Sequence, residues 1–283
     1  MDNINDIQYF VKESQFEQAL VDPSPPSWLG KGSPCTTHRR RLFQNWAKIL
    51  FDNNRDINKL GNCPLTASEM PPNHRSGESV RQPYAMNMFI NGGQVCIKRD
   101  NPADTNNYGK EVYLKIFDAR EISAGQSRYQ IARQPRFKAS HPLGGDRRGD
   151  VMLLINGMPV IHIELKRSKV DVSQATFQIK RYTTKAYSAT VSLRWYRFCS
   201  HDTGRNTLFC QSGEEENFKP EFYFHWEDFN NTVIRDWRRI VSDLLSIPMA
   251  HQLIGYYTIA DDKDKTLKVL RSYQYFAASK SAT

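Results

Sequence analysis

Several features that would each settle a class are missing from this sequence. No apolar run approaches the ~20 residues that a bilayer-spanning helix needs, so no membrane span is expected. The opening Met1-Asp2-Asn3-Ile4-Asn5-Asp6 is acidic and polar, unlike a secretory leader with its basic start and apolar middle. Five cysteines, at 35, 63, 96, 199 and 210, form no CxxC pair. An odd, scattered set points to reduced thiols in a cytoplasmic protein rather than a disulfide framework. Cys35 with His38, and Cys199 with His201 and Cys210, lack the paired knuckle spacing of structural zinc. No GxxxxGK(S/T) loop is present, so these residues alone predict no ATPase. No internal repeat is visible.

Positive charge, by contrast, is plentiful. The 283 residues carry a net charge of +9, which suits a polyanionic partner such as nucleic acid. With 39% hydrophobic residues the chain is on the low side for a globular protein, yet its length allows one large domain or two smaller ones.

The densest chemical signal runs from Gly149-Asp150 to Glu164-Leu165-Lys166. Between them lie the apolar runs Val151–Ile155 and Val160–Ile163, separated by a turn sequence, Asn156-Gly157-Met158-Pro159. This order predicts a β-hairpin. Side chains alternate along a strand, so Glu164 and Lys166 are expected to share one face, with Ile163 and Leu165 turned to a core. Asp150 opens the partner strand and is expected beside that face. Two carboxylates and an ammonium on rigid strands are what metal-assisted phosphodiester hydrolysis requires. Carboxylate oxygens bind a hard divalent cation, and the lysine orients the attacking water. An isolated pattern of this length also arises by chance on a solvated strand edge.

Asp150, the hairpin and Glu164-x-Lys166 resemble the core of the PD-(D/E)xK nucleases, with Gly149 in place of the usual proline. Downstream, Gln178-Ile179-Lys180-Arg181-Tyr182 matches the QxxxY element of a subset of these enzymes. With Phe224-His225-Trp226, Ile247-Pro248-Met249-Ala250-His251 and Leu270 to Tyr275, the wording resembles the nuclease domain of the restriction (R) subunit of type I restriction–modification enzymes. The likeness covers roughly residues 83 to 280, with a weaker stretch at Glu13 to Leu20. It implies an α/β fold, a mixed sheet flanked by helices of the PD-(D/E)xK restriction-endonuclease type. It also implies Mg²⁺, or Mn²⁺ as a substitute, held by Asp150, Glu164 and the backbone carbonyl of Leu165, with Lys166 as the third catalytic residue. Whether one metal or two would bind stays open. The implied substrate is double-stranded DNA, cut without sequence preference, and the implied partners are the methyltransferase and specificity subunits. ATP would serve only a full-length subunit, whose motor is expected to begin near Tyr275. Two other readings suit the same residues: a catalytically silent DNA-binding or assembly module, and a stand-alone repair or recombination nuclease.

Around the motif, Arg147, Arg148, Arg167, Lys169, Lys180 and Arg181 are expected to converge on one surface and meet phosphates. Gln178 and Tyr182 lie on an expected helix, 173–186, as accessory DNA-contacting or positioning groups; the bland reading is a solvated helix face. Glu17, on an expected helix over 5–22, is an accessory acid or simply an exposed carboxylate. His162 shares the expected catalytic face, and a packed strand histidine is the plainer role.

Three zones are expected: 1–82, helical and loop-rich, packing on the core; 83–232, the nuclease core; and 233–283, a helical segment leading toward a motor. A helix should open near Thr36 and run through Trp46 and Leu50, its start carrying Arg39 to Arg41. Residues 64–83 read as loop. Strands are expected at 94–98, 112–117, 129–134, 150–155, 160–166, 191–198, 207–210 and 222–226, and a helix at 233–245.

Overall fold

In the computed structural model the described residues are 18–19, 39–70, 90, 92–120, 127–134, 136–137, 147–166, 196–201, 207–210, 224–261, 263 and 266–281. Helix α1 (Arg39–Asn54) buries Leu42, Trp46, Ile49 and Leu50, an i, i+4, i+7, i+8 stripe on one helical face. Each such large apolar side chain contributes roughly 1.5–3 kcal/mol when fully removed from water. The helix ends on Asn54, whose buried amide works in two directions. Its Nδ2 donates to the carbonyls of Leu50 and Lys115 at 2.8 Å each, and its Oδ1 accepts from the Lys115 N–H at 2.7 Å. One side chain thereby ties α1 to the strand that contains Lys115.

That strand, β2 (Glu111–Lys115), pairs antiparallel with β1 (Gln94–Lys98). Alternation is clear here: Val95, Ile97, Val112 and Leu114 are buried while Gln94, Lys98, Glu111 and Tyr113 face water. The larger sheet has five strands in the order β3 (Tyr129–Arg133), β6 (Val151–Ile155), β7 (Met158–Lys166), β8 (Tyr196–His201), β9 (Thr207–Cys210). Its β7–β8 pair is parallel and the other three pairs are antiparallel, so the sheet is mixed. Every residue of β6 is buried, as expected of a strand covered on both faces. A two-residue ladder, β4 (Arg136–Phe137) with β5 (Arg147–Arg148), sits between β3 and β6 in the chain.

Toward the C-terminus, α2 (Trp237–Asp243) and α3 (Ile247–Gly255) precede the hairpin β10 (Thr258–Asp261) and β11 (Thr266–Val269), then α4 (Ser272–Ser281). A single apolar cluster draws on α1, β1, β2, β3, β6, β7, α2 and α3. His251 of α3 is one clamp in it. Its Nε2 faces the Asp118 carbonyl at 2.8 Å, which can only accept, so Nε2 carries the proton and Nδ1 accepts from the Tyr129 hydroxyl at 2.9 Å. Phe117 stacks on the same imidazole at 4.5 Å. Among the described residues no helix is long and apolar enough to cross a membrane.

Several expected boundaries shift. Of the strand expected at 222–226, residues 222 and 223 lie outside the described residues; Phe224 forms a β-bridge, while Trp226 is buried and its carbonyl accepts from the Ile234 N–H beside the Glu227–Val233 bridge. The helix expected at 233–245 begins at Trp237, because Asp236 is its N-cap and accepts from the Arg238 N–H. Strand β8 is described over Tyr196–His201, three residues beyond the expected end at 198, and residues 191–195 lie outside the described residues. Ile116 and Phe117 follow β2 rather than extending it, and the expected helical segment 233–283 contains the β10–β11 hairpin. Gln18 and Ala19 are helical; the rest of 5–22, with Glu17, and the whole of 173–186 lie outside the described residues.

Candidate functional site

The β6–β7 hairpin turns through Asn156 and Gly157, at φ 51° and 80°, the left-handed pair that a two-residue type I′ turn demands. Both residues are then locked from outside. The Asn156 side chain accepts from the Arg128 N–H at 2.9 Å and donates to the Ile116 carbonyl at 3.2 Å. A Cβ on Gly157 would stand 2.8 Å from the Trp46 Cα, so α1 rests directly on the turn. The tip of the hairpin is therefore fixed in the core, and the motif lies at the opposite end.

Between tip and motif the register changes. Leu154 pairs with Pro159 but Leu153 pairs with Ile161, so Val160 is an extra residue on β7, a β-bulge. Pro159 has no N–H to give the ladder, and a bulge is where a sheet tolerates proline. The consequence is large because strand faces alternate with a period of two. Carried on unchanged, the turn's register would set Asp150 level with Ile163. After the bulge Val151 pairs with Ile163, and the next step sets Asp150 level with Glu164.

Asp150 is half-buried and held from two sides. Its carbonyl accepts from the Gln134 N–H at 2.7 Å, and its carboxylate Oδ2 accepts from the Leu165 N–H at 2.6 Å. The acid thus reaches across to the middle residue of Glu164-Leu165-Lys166. On its other edge β7 runs parallel to β8, with Glu164 opposite Cys199, Leu165 opposite Ser200 and Lys166 opposite His201. The motif strand is consequently fixed on both sides at backbone level.

Of the residues singled out in the sequence, the structure brings Asp150 and Leu165 into direct contact and places Glu164 and Lys166 on either side of Leu165. Arg147 and Arg148 form β5, which leads through Gly149 into Asp150. His162, opposite Met152, is buried within the sheet. Arg167, Lys169, Gln178, Lys180, Arg181 and Tyr182 lie outside the described residues. Gln134 and the Val160 bulge were not anticipated. Gln134 adopts φ 47° just before Pro135, a conformation that the residue type does not advertise. Among the described residues no group of three or more His, Cys, Asp or Glu side chains gathers to hold a metal ion. The register sets Cys199 against Thr207 and Cys210 against Tyr196, so these two cysteines occupy separate rungs.

The family model described as "Type I restriction enzyme R protein N terminus" matches residues 53–232, well over half of the sequence. The chain belongs to this family. The match takes in all of the five-stranded sheet and begins within α1, earlier than the likeness read from the motifs. Its relatives include the "Type I restriction enzyme SsaAORF53P endonuclease subunit" of Staphylococcus saprophyticus, 28% identical over 93% of this chain and 26% of that protein. The "Type I restriction enzyme SauMSSORF170P endonuclease subunit" of Staphylococcus aureus is 26% identical over 88% of this chain and 25% of that protein. The "Type I restriction enzyme EcoprrI endonuclease subunit" of Escherichia coli is 26% identical over 61% of this chain and 53% of its own length. The chain spans about a quarter of the length of the two staphylococcal relatives.

Proposed function

We propose that the end of the β6–β7 hairpin is a magnesium-dependent phosphodiesterase site of the PD-(D/E)xK type, and that the chain is the DNA-cutting portion of a type I restriction R subunit. The observation that carries this reading is the hydrogen bond from the Leu165 N–H to the Asp150 carboxylate, which sets an acid against the Glu-x-Lys segment. The Val160 bulge supports it, since bulges recur beside active sites, where they re-aim a strand.

The donor set fits a hard cation. Asp150, Glu164 and the Leu165 carbonyl offer only oxygen, and Mg²⁺ completes its shell with waters and substrate phosphate rather than with an all-protein cage. Such a site needs fewer than three acidic side chains. A bound Mg²⁺ would acidify its water and offset charge developing on the phosphate. Lys166 orients the attacking water and neutralises the transition state from the same strand. The water oxygen forms a bond to phosphorus as the bond to one sugar oxygen breaks. Backbone contacts of this kind carry no sequence information, so cleavage by these residues is non-specific, and site choice falls to a specificity subunit that assembles with the methyltransferase. The substrate, double-stranded DNA, places this work in the cytoplasm.

Nicking of covalently closed plasmid in Mg²⁺ or Mn²⁺ tests the reading. Asp150→Ala, Glu164→Ala and Lys166→Ala are each expected to lower the rate by about a hundredfold or more, the scale of removing one electrostatic group from a hydrolytic site. Equal nicking by the native chain and all three variants contradicts it.

A further inference from the structure

On the side of β6 away from β7, the chain pairs in one continuous register. Arg133 stands opposite Val151 and Arg136 opposite Arg148, three residues further along each chain, so the β4–β5 ladder continues the β3–β6 ladder. Only Gln134 and Pro135 on one side, and Gly149 and Asp150 on the other, separate the two stretches. In that register Gln134 falls opposite Asp150. Strand structure therefore lapses at the rung of the proposed metal ligand.

Gln134 is strained at this rung. Its φ is 47°, in the left-handed region that crowds the Cβ of an L-residue. Pro135 adds to the restriction, because a proline drives the residue before it toward extended conformations. Glycine is the residue that takes such a φ freely. Outliers of this kind persist only where the surroundings over-determine them, and they cluster at functional sites. Here the paired strands on either side hold the conformation, as does the Gln134 N–H, which donates to the Asp150 carbonyl at 2.7 Å. A residue inside a regular strand stands its side chain roughly perpendicular to the sheet. Asp150 belongs to neither β5 nor β6, and its carboxylate instead reaches across to the Leu165 N–H of β7 at 2.6 Å.

We propose that Gln134 is a positioning residue: its left-handed backbone kinks the outer strand at the acid's own rung and so sets where the Asp150 carboxylate stands. The role belongs to the backbone conformation, not to the Gln134 side chain. It rests on the metal-site reading above and adds to it a residue outside the Asp150–Glu164–Lys166 triad.

Mn²⁺ affinity, measured beside thermal unfolding in a series of variants at position 134, tests this. Gln134→Gly and Gln134→Asn accept a left-handed φ and are expected to bind Mn²⁺ as the native chain does. Gln134→Val does not accept it. Its Mn²⁺ affinity is expected to fall by about ten- to a hundredfold, the scale of losing a group that orients a metal ligand. The Leu165 amide should also exchange with solvent faster in Gln134→Val than in the native chain. If the valine variant does not fold, the milder β-branched change Gln134→Thr takes its place. Gly157→Ala strains another left-handed residue, at the far end of the hairpin, and should lower the unfolding midpoint without changing Mn²⁺ affinity. Native-like Mn²⁺ binding by the folded β-branched variant overturns the proposal. An equal loss in Gln134→Gly overturns it too, since that assigns the role to the side chain, and so does an equal loss in Gly157→Ala, which marks a general effect of stability. Asp150→Ala separates the positioning role from the metal site itself. If Asp150→Ala loses Mn²⁺ while Gln134→Val keeps it, the positioning role fails alone. If Asp150→Ala keeps Mn²⁺, the metal-site reading fails and the positioning role goes with it.

Discussion

The Arg99 cluster and the end of the β6–β7 hairpin each place two acidic residues and one basic residue near one another in the fold, the first by side-chain contact and the second by strand register. In the first, Arg99 lies between Glu69 and Asp104 with all three side chains buried. Its Nε donates to Asp104 at 2.9 Å, its Nη1 to Glu69 at 2.5 Å and its Nη2 to the Cys63 carbonyl at 2.7 Å. The carboxylates are further occupied. Glu69 accepts from the backbone N–H groups of Thr66, Asp100 and Asn101, and Asp104 accepts from the Asn107 side chain. These bonds fasten the turn at 60–70 to the loop between β1 and β2, and they direct the acids' oxygens to internal donors. In the second place, Asp150, Glu164 and Lys166 sit where a hairpin ends, on strands whose register a bulge has reset. The buried acids around Arg99 are accounted for by the contacts they make inside the fold, whereas Asp150 and Glu164 are the acids that the proposed chemistry requires.

Cutting the latch should produce the largest effect. Arg99→Met leaves Glu69 and Asp104 buried without their cation, and removing one partner of such a pair costs about 3–5 kcal/mol. Denaturant unfolding should show that loss, while metal binding at Asp150 under native conditions remains. A smaller effect is expected at the hairpin tip. Gly157→Ala puts a Cβ into a left-handed residue and against the Trp46 backbone, for about 2–3 kcal/mol of destabilisation. Asp150→Asn should move stability by less than about 1 kcal/mol, because the amide oxygen can still accept from Leu165. Its metal affinity should nevertheless collapse, which is the reverse of the Arg99 result. Acid should sharpen the contrast by the least. Burial pushes the Asp104 carboxyl up, but hydrogen bonds from Asn107 and Arg99 outweigh it and hold its pKa below the ordinary aspartate value. A depressed folded-state pKa contributes stability that is present above the unfolded pKa and lost as pH falls through the folded one. The native chain should therefore lose stability below about pH 4 more steeply than Asp104→Asn, in unfolding curves taken across that range.

What could be read from the residues follows from how local each signal is. Asn156-Gly157 announces its turn because few other pairs adopt two successive left-handed conformations. Strand β1 falls where its apolar alternation puts it, and β9 likewise appears at 207–210 as expected. Val160 is different. It lies in a run buried on both faces, where slipping by one residue leaves the apolar pattern unchanged, so the bulge that sets Asp150 level with Glu164 is silent in the sequence. The β4–β5 ladder is two residues long and has no period to detect. Phe224-His225-Trp226 has strand-like composition, yet of these three only Phe224 takes part in a bridge, and the Trp226 indole is buried. There, tertiary packing overrode propensity. The motif stands out in the sequence; the bulge that sets Asp150 level with Glu164 does not.

The most direct test of the central claim is Mn²⁺ binding measured by electron paramagnetic resonance with a short DNA duplex present. The native chain is compared with Asp150→Ala and Lys166→Ala. Loss of tight Mn²⁺ in Asp150→Ala with retention in Lys166→Ala is the predicted result, since the acid ligates and the lysine does not. Equal binding by all three proteins would contradict the metal site and leave a basic, DNA-binding module in its place.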